Sequence, residues 1–215
     1  LASVYPSPTM TAPSDLILAS GSPRRRELLA QLGLRFTVRA VDIDETPRPN
    51  ETPEEYVLRL ALEKAAAGAA AGAEMEASDT LVLAADTIVI LDGELLGKPA
   101  DAAEARAMLG RLAGREHQVA TGVALRQVAG ERGASAVEVS TVRFLPMSER
   151  EIAWYVATGE PMDKAGAYAI QGIGGLFIEA LEGNFSNVVG LPLPVVHRLF
   201  RELGRNFLAT AECAD

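Results

Sequence analysis

Residues 82–90 read VLAADTIVI: eight apolar or β-branched residues around one carboxylate, Asp86. β-Branched and aliphatic side chains suit a pleated backbone, so this is the best strand material in the chain. An ionised carboxylate left unpaired in an apolar interior costs on the order of several kcal/mol. Either the strand breaks at Asp86 and exposes it, or a positive group meets it there. The apolar run Leu81–Ala85 stops at the acid, which places Asp86 at the carboxyl end of a strand, where ligands gather in open α/β sheets. Thr87 then points to the opposite side of the strand, or shares the cleft if the strand breaks.

The flanking sequence alternates between strand and helix patterns. LILAS (16–20) reads as a short strand and GSPRRRELLAQLG (21–33) as a helix, with Ser22 as N-cap, Pro23 at the first position and Gly33 as the stop. FTVRAV (36–41) alternates like a strand, and DIDETPRPNE (42–51) is a polar loop. Residues 52–72 open with a Thr52–Glu55 capping box and are expected to fade in the Ala/Gly tract 65–73. Asp92-Gly93 between apolar arms is a hairpin signal. Then come a helix over 101–114 capped by Asp101, strands over 117–129 and 135–145, and a capped helix over 148–159. Residues 167–183 read as strand, glycine-rich turn, strand, and the last helix covers 194–203. The pattern predicts an α/β fold with one mixed, twisted sheet flanked by helices. Residues 15–204 form the domain, between a disordered N-terminal extension (1–14) and a tail (205–215).

Composition narrows the function. A net charge of −9 over 215 residues disfavours nucleic acid and anionic membrane as partners. No apolar run reaches the length needed to span a bilayer, and the opening residues lack the basic-then-apolar order of a secretory signal. The single cysteine, Cys213, excludes an internal disulfide framework and suits a reducing, cytoplasmic setting. With only His117 and His197, far apart, there is no zinc pattern and no Ser–His–Asp arrangement. GIGG (172–175) joins strands instead of opening a helix, so it is not a dinucleotide loop.

Candidate chemistry begins at the first strand–helix junction. Arg24, Arg25 and Arg26 occupy a first helical turn, where basic side chains oppose the helix dipole and an anion relieves the conflict. Ser20 and Ser22 add hydroxyl donors, so the junction reads as a phosphate cradle or as a solvated basic helix start. Lys98 follows the hairpin, whose reversal brings it back toward Asp86. Lys64 lies on the second helix. Either lysine taken singly reads as a surface residue. Asp42, Asp44 and Glu45 make an acidic loop that is ordinary polar surface or, with oxygen ligands, a site for Mg²⁺ or Mn²⁺.

Taken together, LILASGSPRRRELLAQLG, LALEKA, LAADTIVILDGELLGKP, EARAMLGRLAGREHQVATGVAL and MDKAGAYAIQGIGGLFIEALEGNFSNVVGLPL strongly resemble the Maf family of nucleoside triphosphate pyrophosphatases. The resemblance runs through residues 16–203 in order. It implies an elongated fold with an active-site cleft between two lobes, lined by Ser20, Arg24, Arg25, Glu45, Lys64, Asp86 and Lys98. It further implies Asp86 as proton acceptor, a divalent cation (Mg²⁺ or Mn²⁺) held by Glu45 and Asp86, and a homodimer. The reaction implied is cleavage between the α and β phosphates. At the three positions that separate the family's branches this chain has Arg24, Thr87 and Gln171, which resemble the dTTP/UTP branch. The 7-methyl-GTP branch, and a nucleotide-responsive regulator of septum formation, are the alternatives.

Overall fold

The computed structural model describes residues 16–72, 79–130 and 132–205. The N-terminal extension, most of the tail, and Cys213 lie outside the described residues.

One mixed sheet of seven strands organises the chain. Its strands are β1 (Leu16–Leu18), β2 (Thr37–Val38), β3 (Leu81–Leu91), β4 (Glu94–Leu96), β5 (Glu116–Gln127), β6 (Gly133–Phe144) and β7 (Ile178–Glu182). Their order is β2-β1-β3-β5-β6-β7, with β4 paired to β3. Six helices cover it: α1 (Pro23–Gln31), α2 (Pro53–Gly72), α3 (Ala102–Leu112), α4 (Glu149–Ala157), α5 (Phe185–Val189) and α6 (Leu193–Glu202). Among the described residues no helix is long and apolar enough to cross a membrane.

β3 is the spine. Its even residues Val82 and Ala84 pack with Ala61, Ala65 and Ala69 of α2, and Ile88 and Ile90 pack with Tyr56, Val57 and Leu60 of the same helix. Its odd residues divide. Leu81, Leu83 and Ala85 join α1 and α6, while Val89 and Leu91 join α3 and α4. Asp86 and Thr87 therefore sit at one level, one on each face, where the packing changes partners. The same edge of β3 pairs with β1 only over Leu81–Leu83 and with β4 only over Val89–Leu91, which leaves an opening in the sheet between them.

The capping boxes form as read: Thr52 with Glu55, and Ser148 with Glu151. Asp92 and Gly93 both adopt positive φ (54° and 80°), as a two-residue hairpin requires.

Three expectations are corrected. Asp86 lies in the interior of β3, not at a strand end: the strand continues because a cation meets the carboxylate. α2 does not fade through the Ala/Gly tract 65–73 but stays helical as far as Gly72. Alanine is the strongest helix former, and Gly68 faces the sheet so closely that a Cβ would stand 2.8 Å from both Ala19 and Val82. Residues 167–171 form no strand. Gly166 and Ala167 both have positive φ (68° and 60°). The amides of Ala169, Ile173 and Gly174 donate to the Tyr155 hydroxyl and the Glu160 carboxylate instead of to a neighbouring strand. Of the GIGG segment, Gly172 is the N-cap and Ile173–Gly175 lie within a 3₁₀ turn, Ile173–Phe177, leading into β7. The short helix α5 is an element that the sequence reading did not anticipate.

His117 is buried beside Phe144 and Tyr168, with Nε2 2.8 Å from the Tyr168 hydroxyl. Burial lowers its imidazole to about 4 from an ordinary 6.5. Between those values the unfolded chain binds more protons, so stability falls as pH drops through that window. Going from about pH 7.5 to about pH 5 is expected to cost about 2 kcal/mol from this group. Urea melts of the wild type and His117→Phe at both pH values check this. An equally steep pH dependence in the variant would remove His117 as the cause.

Candidate active site

The site is built at the opening in the sheet. β1 ends at Leu18, and the Ala19 amide still donates to the Leu83 carbonyl at 2.8 Å, after which the chain turns into α1. Ser22 caps that helix, its hydroxyl accepting from the Arg25 amide. The turn from Ser20 to Arg25 thus lies beside the exposed edge of β3. Gly97 and Lys98, just past β4, close the other end.

A cavity of about 570 Å³ occupies this opening, within the range of small-molecule sites. It gathers Ser20, Arg24, Arg25, Glu45, Lys64, Asp86, Thr87, Lys98 and Gln171 into one lining, which covers every site residue expected from the sequence. Further polar groups enter that the sequence reading did not single out, among them Tyr56, Asp163 and Lys164. Tyr56, Leu60 and Lys64 recur every fourth residue on α2, so their shared face was available as a signal. Lys164 stands in the quoted MDKAGAYAIQG stretch but had no independent mark. Among the described lining residues, five cationic side chains oppose three carboxylates. The cavity is locally positive in a chain of net charge −9.

At its centre Lys64 Nζ lies 2.6 Å from Asp86 Oδ1 and 2.6 Å from Glu45 Oε1. The Lys64 and Asp86 side chains are 11% and 13% exposed, whereas Glu45 is 56% exposed. The inner pair is thus nearly dry, and removing Lys64 would strand the Asp86 charge at a cost on the order of 3–5 kcal/mol. Lys64 donates to Oδ1, and no hydrogen bond among the described residues reaches Oδ2, which leaves that oxygen for a ligand or water. The Tyr56 hydroxyl donates to the Glu45 carbonyl at 2.8 Å, tying the acidic loop to α2. Burial, and after it the charges of Asp86 and Glu45, push that phenol up to about 12, so it remains a donor at neutral pH.

On the other face Arg25 is held by three acceptors: Gly190 O at 2.7 Å, Ser20 Oγ at 3.2 Å and Thr87 Oγ1 at 2.9 Å. Burial lowers its guanidinium from the usual range, and the Asp86 charge works against that. Arg24 reaches across to Asp163 at 3.2 Å. Lys164 Nζ contacts both Asp163 Oδ1 and the Glu160 carbonyl, at 2.5 and 2.7 Å. Gln171 precedes Gly172, and the turn that follows is fixed by Glu160, whose carboxylate accepts from the Ile173 and Gly174 amides at 3.0 and 2.9 Å. Arg26 is exposed and lies outside the lining.

A divalent cation can be tested against this donor set. Two carboxylate oxygens converge on one cationic nitrogen, and oxygen donors are what a hard cation takes. Among the described residues no group of three or more metal-ligating side chains forms. That suits Mg²⁺-type binding, in which one or two carboxylates are completed by phosphate and water. Glu45 and Asp86 fit such an ion.

Residues 15–203 match the family described as Maf-like protein. A protein named dTTP/UTP pyrophosphatase from Myxococcus xanthus (strain DK1622) is 56% identical over 189 residues, covering 88% of this chain and 92% of its own length. One of the same name from Anaeromyxobacter sp. (strain Fw109-5) is 54% identical over 192 residues, covering 88% and 89%. Among solved structures, the Staphylococcus aureus Ham1 protein superposes with a TM-score of 0.50 at 15% identity, over 88% of this chain and 99% of that one. That likeness is one of fold.

Gly122 is the register partner of Asp86 on β5. A Cβ there would stand 2.2 Å from the Val57 carbonyl of α2. Gly122→Ala is therefore expected to lift α2, and Lys64 with it, off the sheet, and to destabilise by about 2–3 kcal/mol. Chemical denaturation and turnover assays check it, and a variant as stable and active as the wild type would show that this close approach is dispensable.

Proposed function

The chain belongs to the Maf-like family, and from that premise we propose that it hydrolyses dTTP and UTP between the α and β phosphates, giving the monophosphate and pyrophosphate. The observation that carries this reading is the convergence of Arg24, Arg25, Lys64 and Lys98 with Asp86 in one cavity. The names of the relatives above support the choice of pyrimidine.

Each residue then has a task. Arg25 presents N–H groups to phosphate oxygens, with Arg24, Lys98 and Lys164 adding positive charge around the polyanion. Lys64 pins Asp86 through Oδ1. Asp86 Oδ2 accepts a proton from a water aligned with the α-phosphorus. The water oxygen bonds to that phosphorus as the bond to the α–β bridging oxygen breaks, and the pyrophosphate carries the released charge. Glu45 and Asp86 would hold a divalent cation, which would supply neutralisation of the phosphates. Gln171 offers both a donor and an acceptor to a neutral pyrimidine.

The proposal includes the cation requirement, a homodimer, a cytoplasmic setting and no nucleic-acid partner. The family resemblance supports the first two, the single cysteine the third and the net charge of −9 the last.

Pyrophosphate release from dTTP, UTP and 7-methyl-GTP with Mg²⁺ or Mn²⁺ tests the reading, and faster turnover of 7-methyl-GTP overturns the substrate assignment. Asp86→Asn is expected to retain nucleotide binding and lose about a hundredfold or more in kcat, the scale of a missing general base. Full turnover in that variant would refute the role of Asp86. Gln171→Glu should weaken pyrimidine use, and unchanged selectivity in the same panel removes Gln171 from base recognition.

A further inference from the structure

Behind Arg25 lies a chain of hydroxyl and amide groups that the proposed reaction does not use. A guanidinium has five N–H groups. Arg25 commits three: Nε to Gly190 O, one on Nη1 to Ser20 Oγ and one on Nη2 to Thr87 Oγ1. One N–H remains on each terminal nitrogen, the pair that a phosphate takes in bidentate fashion.

The direction of the bonds behind it can be assigned. Thr121 Oγ1 donates to the Asn187 carbonyl at 3.2 Å. Either hydroxyl can donate in the 2.9 Å contact between Thr87 and Thr121, and with the Thr121 proton on the Asn187 carbonyl we assign Thr87 as the donor. Thr87 Oγ1 in turn accepts from Arg25. The alternative acceptor for Thr87, Gly190 O, is farther away at 3.4 Å and already takes Arg25 Nε. Asn187 is held by its own Nδ2, which donates to the Val119 carbonyl and to Ser140 Oγ, both at 2.9 Å. Thr121 and Asn187 are fully buried and Ser140 nearly so. Apart from Asn187 Oδ1, which has no hydrogen-bond partner among the described residues, these buried groups are paired, and each break strands a polar group away from water.

We propose that Thr121 and Asn187 are positioning residues acting through Thr87, and that together they orient the two phosphate-facing N–H groups of Arg25. Through Arg25 this chain of groups then serves the grip on the triphosphate. This rests on the pyrophosphatase reading above.

The test is a double-mutant cycle read first as affinity for inorganic tripolyphosphate, measured by calorimetry on the full chain. Thr121→Val is expected to weaken binding about tenfold, the scale of one impaired hydrogen bond to a charged group, and Thr121→Ser to restore it. In an Arg25→Met background the added Thr121→Val should change affinity by less than about twofold, since a residue acting through Arg25 has nothing left to act on. The same loss in both backgrounds overturns the proposal. If Thr121→Val does not fold, by circular dichroism and melting, Thr87→Val beside the cavity carries the same cycle. In turnover, Thr121→Val should lower kcat/KM for dTTP, UTP and 7-methyl-GTP by a common factor. A shift in the ratio among them refutes the proposal. Should the wild type release pyrophosphate from none of the three, the function reading fails, while the tripolyphosphate cycle still decides the positioning claim.

Discussion

Lys64 Nζ stands 2.6 Å from the carboxylates of both Asp86 and Glu45, and much of the architecture is arranged around that contact. A charge inside the central strand is tolerable only if an opposite charge reaches it through the packing. Here the partner comes from α2, and the helix reaches the sheet because its neighbours are small. Gly122 lies opposite Asp86 in the ladder, Gly68 meets Ala19 and Val82, and alanines fill the rest of that contact. Larger residues at those points would raise the helix and carry the ammonium out of reach.

The same level of the sheet separates the molecule into two packing regions. Leu81, Leu83 and Ala85 belong with α1 and α6, whereas Val89 and Leu91 belong with α3 and α4. Between them Asp86 and Thr87 project to opposite faces, and β3 has no edge partner between its pairings with β1 and β4. Because that edge is free, residues from both faces line one cavity. The cleft is a consequence of strand lengths: β1 stops early, β4 starts late, and the long β3 runs past both. Its walls come from the Ser20–Arg25 turn on one side and from Lys98 and Asp163–Gln171 on the other.

Electrostatics fit this geometry. A chain of net charge −9 concentrates five cationic side chains at one opening, so a polyanion finds favourable potential there. The cations are also not equivalent. Arg25 is locked by three acceptors, Lys64 is neutralised by two carboxylates, and Arg24 and Lys164 share Asp163. Lys98 is exposed, and among the described residues no ion pair is formed with it.

The sequence by itself determined the elements whose signals are local. Capping boxes at Thr52 and Ser148, the Asp92-Gly93 turn and the apolar run around Asp86 act within a few residues of each other, so their physics is complete in a short window. The resemblance also named Ser20, Arg24, Arg25, Glu45, Lys64, Asp86, Thr87, Lys98 and Gln171, all of which line the cavity, but not Tyr56, Asp163 or Lys164. Only the tertiary structure decided the rest. The Ala/Gly tract 65–73 read as the fading end of a helix until the contact of Gly68 and Gly72 with the sheet showed that the missing Cβ is what lets α2 pack. Residues 167–171 read as strand because apolar alternation cannot reveal that Glu160 and Tyr155 take their amides. Asp86 read as a strand end because its cation lies 22 residues away in the chain. The partners of Thr87, on β5 and α1, came together only when three elements met at one point. In each case the deciding interaction is long in sequence and short in space, and no local pattern carries it.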